Sequence, residues 1–145
     1  MVTSVRPASI SDAQALAELA DKLMPGEART PDRINVLRQS LGKPNYHLYV
    51  AQENGRVIGF VDIWIFSDFT HGARMGIIQN IFVDRRFRRR GVGDLLMRRI
   101  TRKATQLKVK ELHVWTSFRN RAAIMLYRKY NLRKRSLLLE RAFEW

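Results

Sequence analysis

The sequence predicts one mixed α/β domain spanning residues 1–145, of order β-α-α-β-β-β-α-β-α-β-β. Three observations carry that prediction. Runs with strand alternation and runs with helical spacing interleave along a chain of 145 residues, a length that suits a single core. Asn54-Gly55 separates two strand-like runs, and this pair tolerates the positive φ of a tight hairpin. A further apolar run, Gly76 to Val83, leads through a basic loop into Gly91-Val92-Gly93 and then into a helical segment. A strand, a glycine-rich turn and a helix N-terminus in that order build an anion site from backbone N–H groups. The expected sheet is mixed, mostly antiparallel, with six to seven strands and four flanking helices.

Val2 to Arg6 alternates and reads as an edge strand ended by Pro7. Ser11-Asp12-Ala13-Gln14 has the form of a capping box. Leu16, Leu19, Ala20 and Leu23 follow at helical spacing as far as Pro25-Gly26. Thr30-Pro31 opens a second helix with proline at the first helical position. Its apolar face is Ile34, Leu37 and Leu41, and Gly42 ends it. Tyr46 to Gln52 and Val57 to Phe66 are the strands of the hairpin, and 67–75 is a loop. Gly76 to Val83 is apolar on both faces except at Gln79 and Asn80, as a central strand is. The helix at 91–107 presents Val92, Leu95, Leu96, Ile100, Ala104 and Leu107 on one side. Glu111 to Thr116 is a strand with Trp115 in the core. Ser117 caps a helix over 118–130, and 132–145 supplies one or two closing strands.

Composition narrows the function. The net charge is +14, and between Arg85 and Lys110 eleven Lys/Arg face one acid, Asp94, a local charge of +10. Such a field attracts polyanions; a CoA-type cofactor, a nucleic acid, a ribosome or an acidic substrate all fit. The absence of cysteine excludes a disulfide framework and a thiolate metal site. His47, His71 and His113 form no ligand pair at helical spacing, so no metal is expected. No apolar run approaches membrane-spanning length, and the N-terminus lacks the apolar core of a signal peptide. A soluble, cytoplasmic protein with no membrane partner is the expectation.

Arg88-x-x-Gly91-x-Gly93 by itself fits a phosphate site or a strand–helix turn with a solvated basic face. One strand later comes Asn120-x-x-Ala123-Ile124-x-x-Tyr127, whose residues share a helix face. Upstream are Val5-Arg6-Pro7-Ala8 followed by Asp12-Ala13, and the hairpin Asn54-Gly55-x-Val57-Ile58-Gly59-Phe60. Between these stretches runs Phe82-Val83-Asp84-x-x-Phe87-Arg88-Arg89-Arg90-Gly91-Val92-Gly93. With four motifs in this order, the chain resembles the GCN5-related N-acetyltransferase (GNAT) superfamily over nearly its whole length. It departs from the family at Arg85, often proline, and at Phe87, often tyrosine. Asn131-Leu132 stands where glycine-phenylalanine is usual, a mild exchange because asparagine tolerates the left-handed C-cap. Gln79 stands near a position where members often carry glutamate, and glutamine cannot act as a general base.

The resemblance implies the GNAT fold, acetyl-CoA as donor, and direct attack of a primary amine on the thioester in a ternary complex. It assigns the pyrophosphate to backbone N–H groups of Arg88, Arg89, Arg90, Gly91, Val92 and Gly93, with Asp94 and Leu95 adding donors. Arginine side chains of the loop reach the 3′-phosphate. Ile81, Phe82 and Val83 pair with the pantetheine arm like an added strand. Asn120 binds that arm or a bridging water, on the helix face shared with Ala123 and Tyr127. Tyr127 protonates the leaving thiolate; from spacing alone the commoner role is a packed helix aromatic. Asp62, mid-strand among apolar residues, is a base acting through water, an acceptor-binding carboxylate, or a charge on a solvent-facing strand side. His47 and His71 read as surface or loop residues. Trp64, Phe66 and Phe69, with the 67–75 loop, line an acceptor pocket, or else are a core tryptophan and a mobile loop. Two other readings stand beside the enzyme: a nucleic-acid- or ribosome-binding basic module, and a non-catalytic acyl-CoA-binding regulator, to which Gln79 lends weight. The resemblance also allows a homodimer, and it leaves the acceptor amine unidentified.

Overall fold

Over residues 2–144, which the computed structural model describes, the chain runs β1 (Ser4–Pro7), α1 (Ala13–Leu23), α2 (Thr30–Leu41), β2 (Tyr46–Glu53), β3 (Arg56–Asp68), β4 (Ala73–Val83), α3 (Val92–Gln106), β5 (Glu111–Val114) and α4 (Arg121–Lys129). The strands form one sheet in chain order. The first three pairings are antiparallel, and β4 with β5 is parallel. The sheet is therefore mixed and mostly antiparallel with four helices, as expected, but it has five strands rather than six to seven. Residues 132–144 form no strand. Asn131 turns the chain at φ +65°, Leu132 N–H closes on the Tyr127 carbonyl, and the segment beyond has no ladder partner. An amphipathic segment becomes a strand only where another strand receives it.

Strand alternation sorts side chains onto two faces. Leu48, Val50, Phe60 and Phe82 meet Leu16 and Leu19 of α1 on one face. Tyr49, Ala51, Val61, Ile63 and Ile78 meet Val92, Leu96, Met97 and Ile100 of α3 on the other. Tyr127, from α4, joins that second cluster.

Several boundaries differ from expectation for local reasons. The capping box is Ser9 with Asp12, not Ser11 with Gln14: Ser9 N–H donates to Asp12 Oδ2 at 2.8 Å. Arg6 also clamps that carboxylate with two bonds, at 2.9 and 2.8 Å. Asn120, not Ser117, caps α4, its Oδ1 accepting from Ala123 N–H at 3.2 Å. The 67–75 loop is mostly strand, because Phe66, Ser67 and Asp68 pair with Met75, Arg74 and Ala73 across a short turn. Trp115 lies past the end of β5 and is 50% exposed, not core.

Two features of the sheet set up the site. Parallel pairing of β4 with β5 covers only Met75 to Ile78. The rest of β4, 79–83, has β3 on one side and no strand on the other. The β3–β4 register also shifts there, with Asp62 opposite Asn80 but Ile63 opposite Ile78, so Gln79 is the extra residue of a bulge.

The close passage of β3 against β4 needs Gly59. A Cβ at that position would lie 2.8 Å from the Phe82 carbonyl oxygen and 3.4 Å from Leu96 Cδ1. Gly59→Ala is expected to cost about 2 kcal/mol, the range of core overpacking, read as a lower urea midpoint at unchanged m-value. Asp84 closes β4 and anchors the loop that follows. Buried itself, it accepts from Lys22 Nζ at 2.9 Å and from Arg86 N–H at 3.2 Å. Burial would raise its pKa, but Lys22 and Arg86 outweigh that and hold it at about 2, below the ordinary 3.8. The carboxylate therefore stabilises the fold above pH 4, and that contribution is lost as pH falls from 4 to 2. Lys22 is half exposed, so Asp84→Asn is expected to cost about 1–2 kcal/mol at neutral pH. Denaturant titrations should show the gap between variant and parent narrowing at pH 3.

Candidate active site

The basic loop between β4 and α3 is held by several of its own arginines. Arg86 pairs with Asp84. Arg88 Nε donates to the Val83 carbonyl at 2.9 Å, and its guanidinium lies 5.3 Å from the Phe82 ring centroid. Arg90 reaches back to Glu53, whose side chain is only 2% exposed. Arg56, Arg86 and Arg90 lie 5.3–5.8 Å from the Phe87 ring centroid, so this ring is dressed with guanidinium groups rather than bare for base stacking. Arg85 and Arg89 make no ion pair among the described residues and stand exposed. Three arginines of the run are thus structural, and two remain for a ligand.

Backbone conformation prepares the anion site. Arg89 and Gly91 both take left-handed φ, +62° and +79°. Gly91 is the N-cap of α3, and no side chain caps that helix. The N–H groups of Val92, Gly93 and Asp94 are therefore left without an intrahelical partner, at the positive end of a helix of 15 residues. Left-handed residues near a helix start fold N–H groups into a concave anion cradle. Gly93 also lets α4 approach, since a Cβ there would lie 3.2 Å from Leu126. The Asp94 side chain accepts from the Tyr130 hydroxyl, which joins the start of α3 to the end of α4. The bare edge of β4 leads through Asp84 into this cradle.

Ile81 and Val83 pack with Tyr127, Ala123 and Leu126 in the cluster beside α3. Tyr127 is 5% exposed, yet its hydroxyl bonds to no group among the described residues. A buried tyrosine hydroxyl usually has a partner. Burial pushes its pKa up to about 12, so the phenol keeps its proton across the neutral range. Asn120 stands apart from this arrangement: it is exposed and engaged as a helix cap.

On the other face of the sheet lies a cleft of about 420 Å³ between α1, α2 and strands β2 to β4. Leu16, Ala17, Ala20, Val36 and Leu37 form its apolar wall. Tyr46 and Trp64, with ring centroids 4.5 Å apart, form the opposite side. Asp62, Gln79 and Asn80 lie where the cleft meets the bulge. Asp62 is buried, not solvent-facing. It accepts from Tyr46 Oη at 2.6 Å, from Asn80 N–H at 2.8 Å, and from Asn80 Nδ2 at 3.2 Å. Burial raises its pKa against the pull of those bonds, and burial and the Asp62 charge together raise that of Tyr46.

The structure brings Trp64 into this cleft but leaves Phe66 and Phe69 outside it, 43% and 94% exposed. His71 lies at the turn, paired with Asp68. His47 is on β2, half-buried, with its pKa lowered by burial and by Lys103. Tyr46, Asn80 and the α2 wall are cleft residues with no local sign in the sequence, because strand register and the packing of α2 bring them together. Charge divides in the same way. Residues 1–84, which supply the walls of the cleft, hold 8 Lys/Arg and 9 Asp/Glu. Residues 85–145, which supply the anion cradle, hold 19 and 4.

Solved structures share this architecture. A transcriptional regulator from Bacillus halodurans superposes with TM-score 0.89 at 15% identity, over 98% of this chain and 100% of the other. The glucosamine-6-phosphate N-acetyltransferase from Arabidopsis thaliana gives 0.85 at 18% identity, over 99% and 100%. The aminoglycoside acetyltransferase AAC(6')-Iy, solved with a bisubstrate analogue of CoA, gives 0.85 at 20% identity over the whole of both chains. At these identities the likeness is one of fold. No curated protein matches the sequence. The family model for acetyltransferases of the GNAT family does match it, over residues 13–131, from the start of α1 to the turn that ends α4. The chain therefore belongs to the acetyltransferase (GNAT) family, enzymes whose acyl donor is acetyl-CoA.

Proposed function

We propose that the protein acetylates a compact primary amine bound in the α1–α2 cleft, with Tyr127 as general acid and Asp62 as the carboxylate that holds the amine. The observation that carries this reading is the bare edge of β4. It connects the uncapped N-terminus of α3 on one side with the bulge and cleft on the other. A donor lying along that edge meets an acceptor at the bulge.

The residues present fit the donor. Free N–H groups at Val92, Gly93 and Asp94 suit a pyrophosphate, and the exposed Arg85 and Arg89 suit a further phosphate. Backbone groups of Ile81 and Phe82 on the open edge suit an amide-bearing arm laid beside them. When bound, acetyl-CoA supplies a thioester carbonyl whose C–S bond gives way to a C–N bond with the amine. Tyr127 Oη supplies the proton that the departing sulfur takes up. Its lack of a hydrogen-bond partner within the fold leaves it free to do so.

Asp62 acts on the acceptor. Three donors already occupy most of the four lone-pair sites of its carboxylate. About one site remains for an ammonium or amine N–H from the cleft. A nearly saturated carboxylate suits holding better than proton abstraction, so water in the cleft takes the proton that the amine must shed. The apolar walls and the Tyr46–Trp64 pair favour an acceptor with an aliphatic or ring body over an extended peptide. The near-neutral charge of residues 1–84 removes the electrostatic objection to a cationic acceptor that the overall +14 raises.

Release of free thiol from acetyl-CoA, scanned over small primary amines, tests the reading; CoA binding without release from any amine would favour the regulator instead. Tyr127→Phe is expected to retain CoA affinity and lower kcat by about ten-fold or more, within the usual contribution of a positioned acid. Because the phenol titrates near 12, the parent should show no loss of kcat attributable to Tyr127 up to pH 10. Asp62→Asn is expected to raise KM for the amine about ten-fold, the worth of one hydrogen bond to a charged group, with KM for acetyl-CoA unchanged. An equal rise in both constants would place its effect on the β4 edge rather than on the acceptor.

A further inference from the structure

The proposed function leaves most of the positive charge unused. Between Leu95 and Leu139 the chain holds thirteen Lys/Arg and a single acid, Glu111. None of the thirteen forms an ion pair among the described residues. In the proposed function the donor's phosphates are met by the α3 N-terminus, Arg85 and Arg89, all outside this stretch. The fold gathers part of the surplus where α3 and α4 meet. Tyr130, which ends α4, donates its hydroxyl to the Asp94 carbonyl at 3.0 Å, and Arg98, one turn along α3, bears on the same hydroxyl. Arg102 stands a further turn along α3, and Lys129 and Arg133 flank Tyr130 in the chain. All four are exposed, so the junction of the two helices turns a basic face to solvent. Beside it, in the connection from β5 to α4, Trp115 and Phe118 are 50% and 77% exposed. Lys134 Nζ lies 5.8 Å from the Phe118 ring centroid, so a cation and an open ring stand together.

We propose that this α3–α4 face binds single-stranded nucleic acid, with phosphates on Arg98, Arg102, Lys129 and Arg133 and bases against Trp115 and Phe118. Like charges without counter-charges repel one another. A polyphosphate relieves that repulsion and releases its own counterions as it binds. Eight of the thirteen basic residues are arginine, whose planar fork matches phosphate oxygens. Open rings beside cations are what unpaired bases stack on. An acidic protein surface would meet the charges and leave the rings without a role. Both helices lie along the core cluster, held there by Leu96, Ile100 and Tyr127. Neither therefore projects to enter a duplex groove, and a single strand fits the face better than a duplex. The face is also distinct from the loop at 85–90, whose Phe87 ring is covered by guanidinium groups.

Fluorescence anisotropy of labelled oligouridine and oligothymidine, each of about 20 nucleotides to span the face, tests the proposal with the full chain. Affinity should fall about 100-fold between about 50 and 200 mM salt, the slope expected for about five phosphate contacts. Tighter binding of one strand says whether RNA or DNA is the source, and supports the proposal either way. Arg102→Ala, Lys129→Ala and Arg133→Ala together should weaken binding about ten-fold or more and lower the salt slope by about two. Circular dichroism and CoA affinity should stay unchanged. Phe118→Ala should weaken binding about five-fold or more at an unchanged salt slope, as lost stacking does. Arg38→Ala with Lys43→Ala, on the α2 side of the sheet, should change neither affinity nor slope. Saturating CoA should leave the oligonucleotide bound. Its release by CoA would place it in the anion cradle and overturn the proposal. So would a duplex bound as tightly as either strand, an equal loss in the α2-side variant, or capture by phosphatidylserine vesicles with no binding of either strand.

Discussion

The site depends on one interruption in a ladder. β4 pairs with β5 as far as Ile78 and Val114 and then parts from it. At that point β4 carries its extra residue, Gln79, so the β3 register slips by one. A bulge leaves backbone groups without ladder partners, and in this protein a side chain takes up one of them. Asp62 accepts the Asn80 N–H at 2.8 Å. The buried carboxylate is therefore part of how the sheet tolerates the bulge, as well as a charge facing the cleft.

The same economy governs the arginines. Read along the sequence, Arg85 to Arg90 is a dense positive run. In the fold it separates into anchors and free charges. Arg88 and Arg90 fix the loop to β4 and to Glu53, while Arg86 satisfies Asp84. A loop held at three points keeps Arg89 and Gly91 in left-handed conformations that a mobile loop would leave. The cost of holding Arg89 there, about 1–2 kcal/mol for a residue with a Cβ, is offset by those anchors. Preorganised N–H groups then need no rearrangement when an anion arrives.

What was legible in the sequence follows the range of the forces involved. Helices α1 to α3, the Asn54-Gly55 hairpin and the strand leading to the glycines are set by local spacing and turn chemistry, and they appear close to where the pattern put them. Asn131 takes the left-handed C-cap its type permits. The helix caps were misplaced because Ser, Asp and Asn within a few residues compete for the same N–H groups. Which one wins depends on tertiary partners, such as Arg6 for Asp12. The Glu53–Arg90 pair spans 37 residues, and no local pattern announces it. Asp62 was ambiguous for a related reason. Alternation placed it on a face, but whether that face meets water or a helix pair is decided by where α1 and α2 pack.

The two groups to which the proposed function gives roles illustrate opposite uses of burial. Asp62 and Tyr127 are equally hidden, each 5% exposed. The fold nearly saturates Asp62 with donors, which leaves about one lone-pair site for a ligand, while burial raises its pKa. Tyr127 is given no donor or acceptor among the described residues, and burial raises its pKa from 10 to about 12. Its hydroxyl is not sealed from solvent, so water can serve it in the free protein. In the proposed function a ligand atom at the β4 edge takes the place of that water, and one that gains negative charge during reaction is held most strongly. Differential stabilisation of that kind lowers a barrier rather than a dissociation constant. In the proposed function the uncapped α3 terminus holds the distant phosphates of the same ligand with fixed charge that does not change during the reaction. The proposed function thus gives binding and catalysis to different parts of one continuous edge, the first to backbone N–H groups and the second to a single phenol.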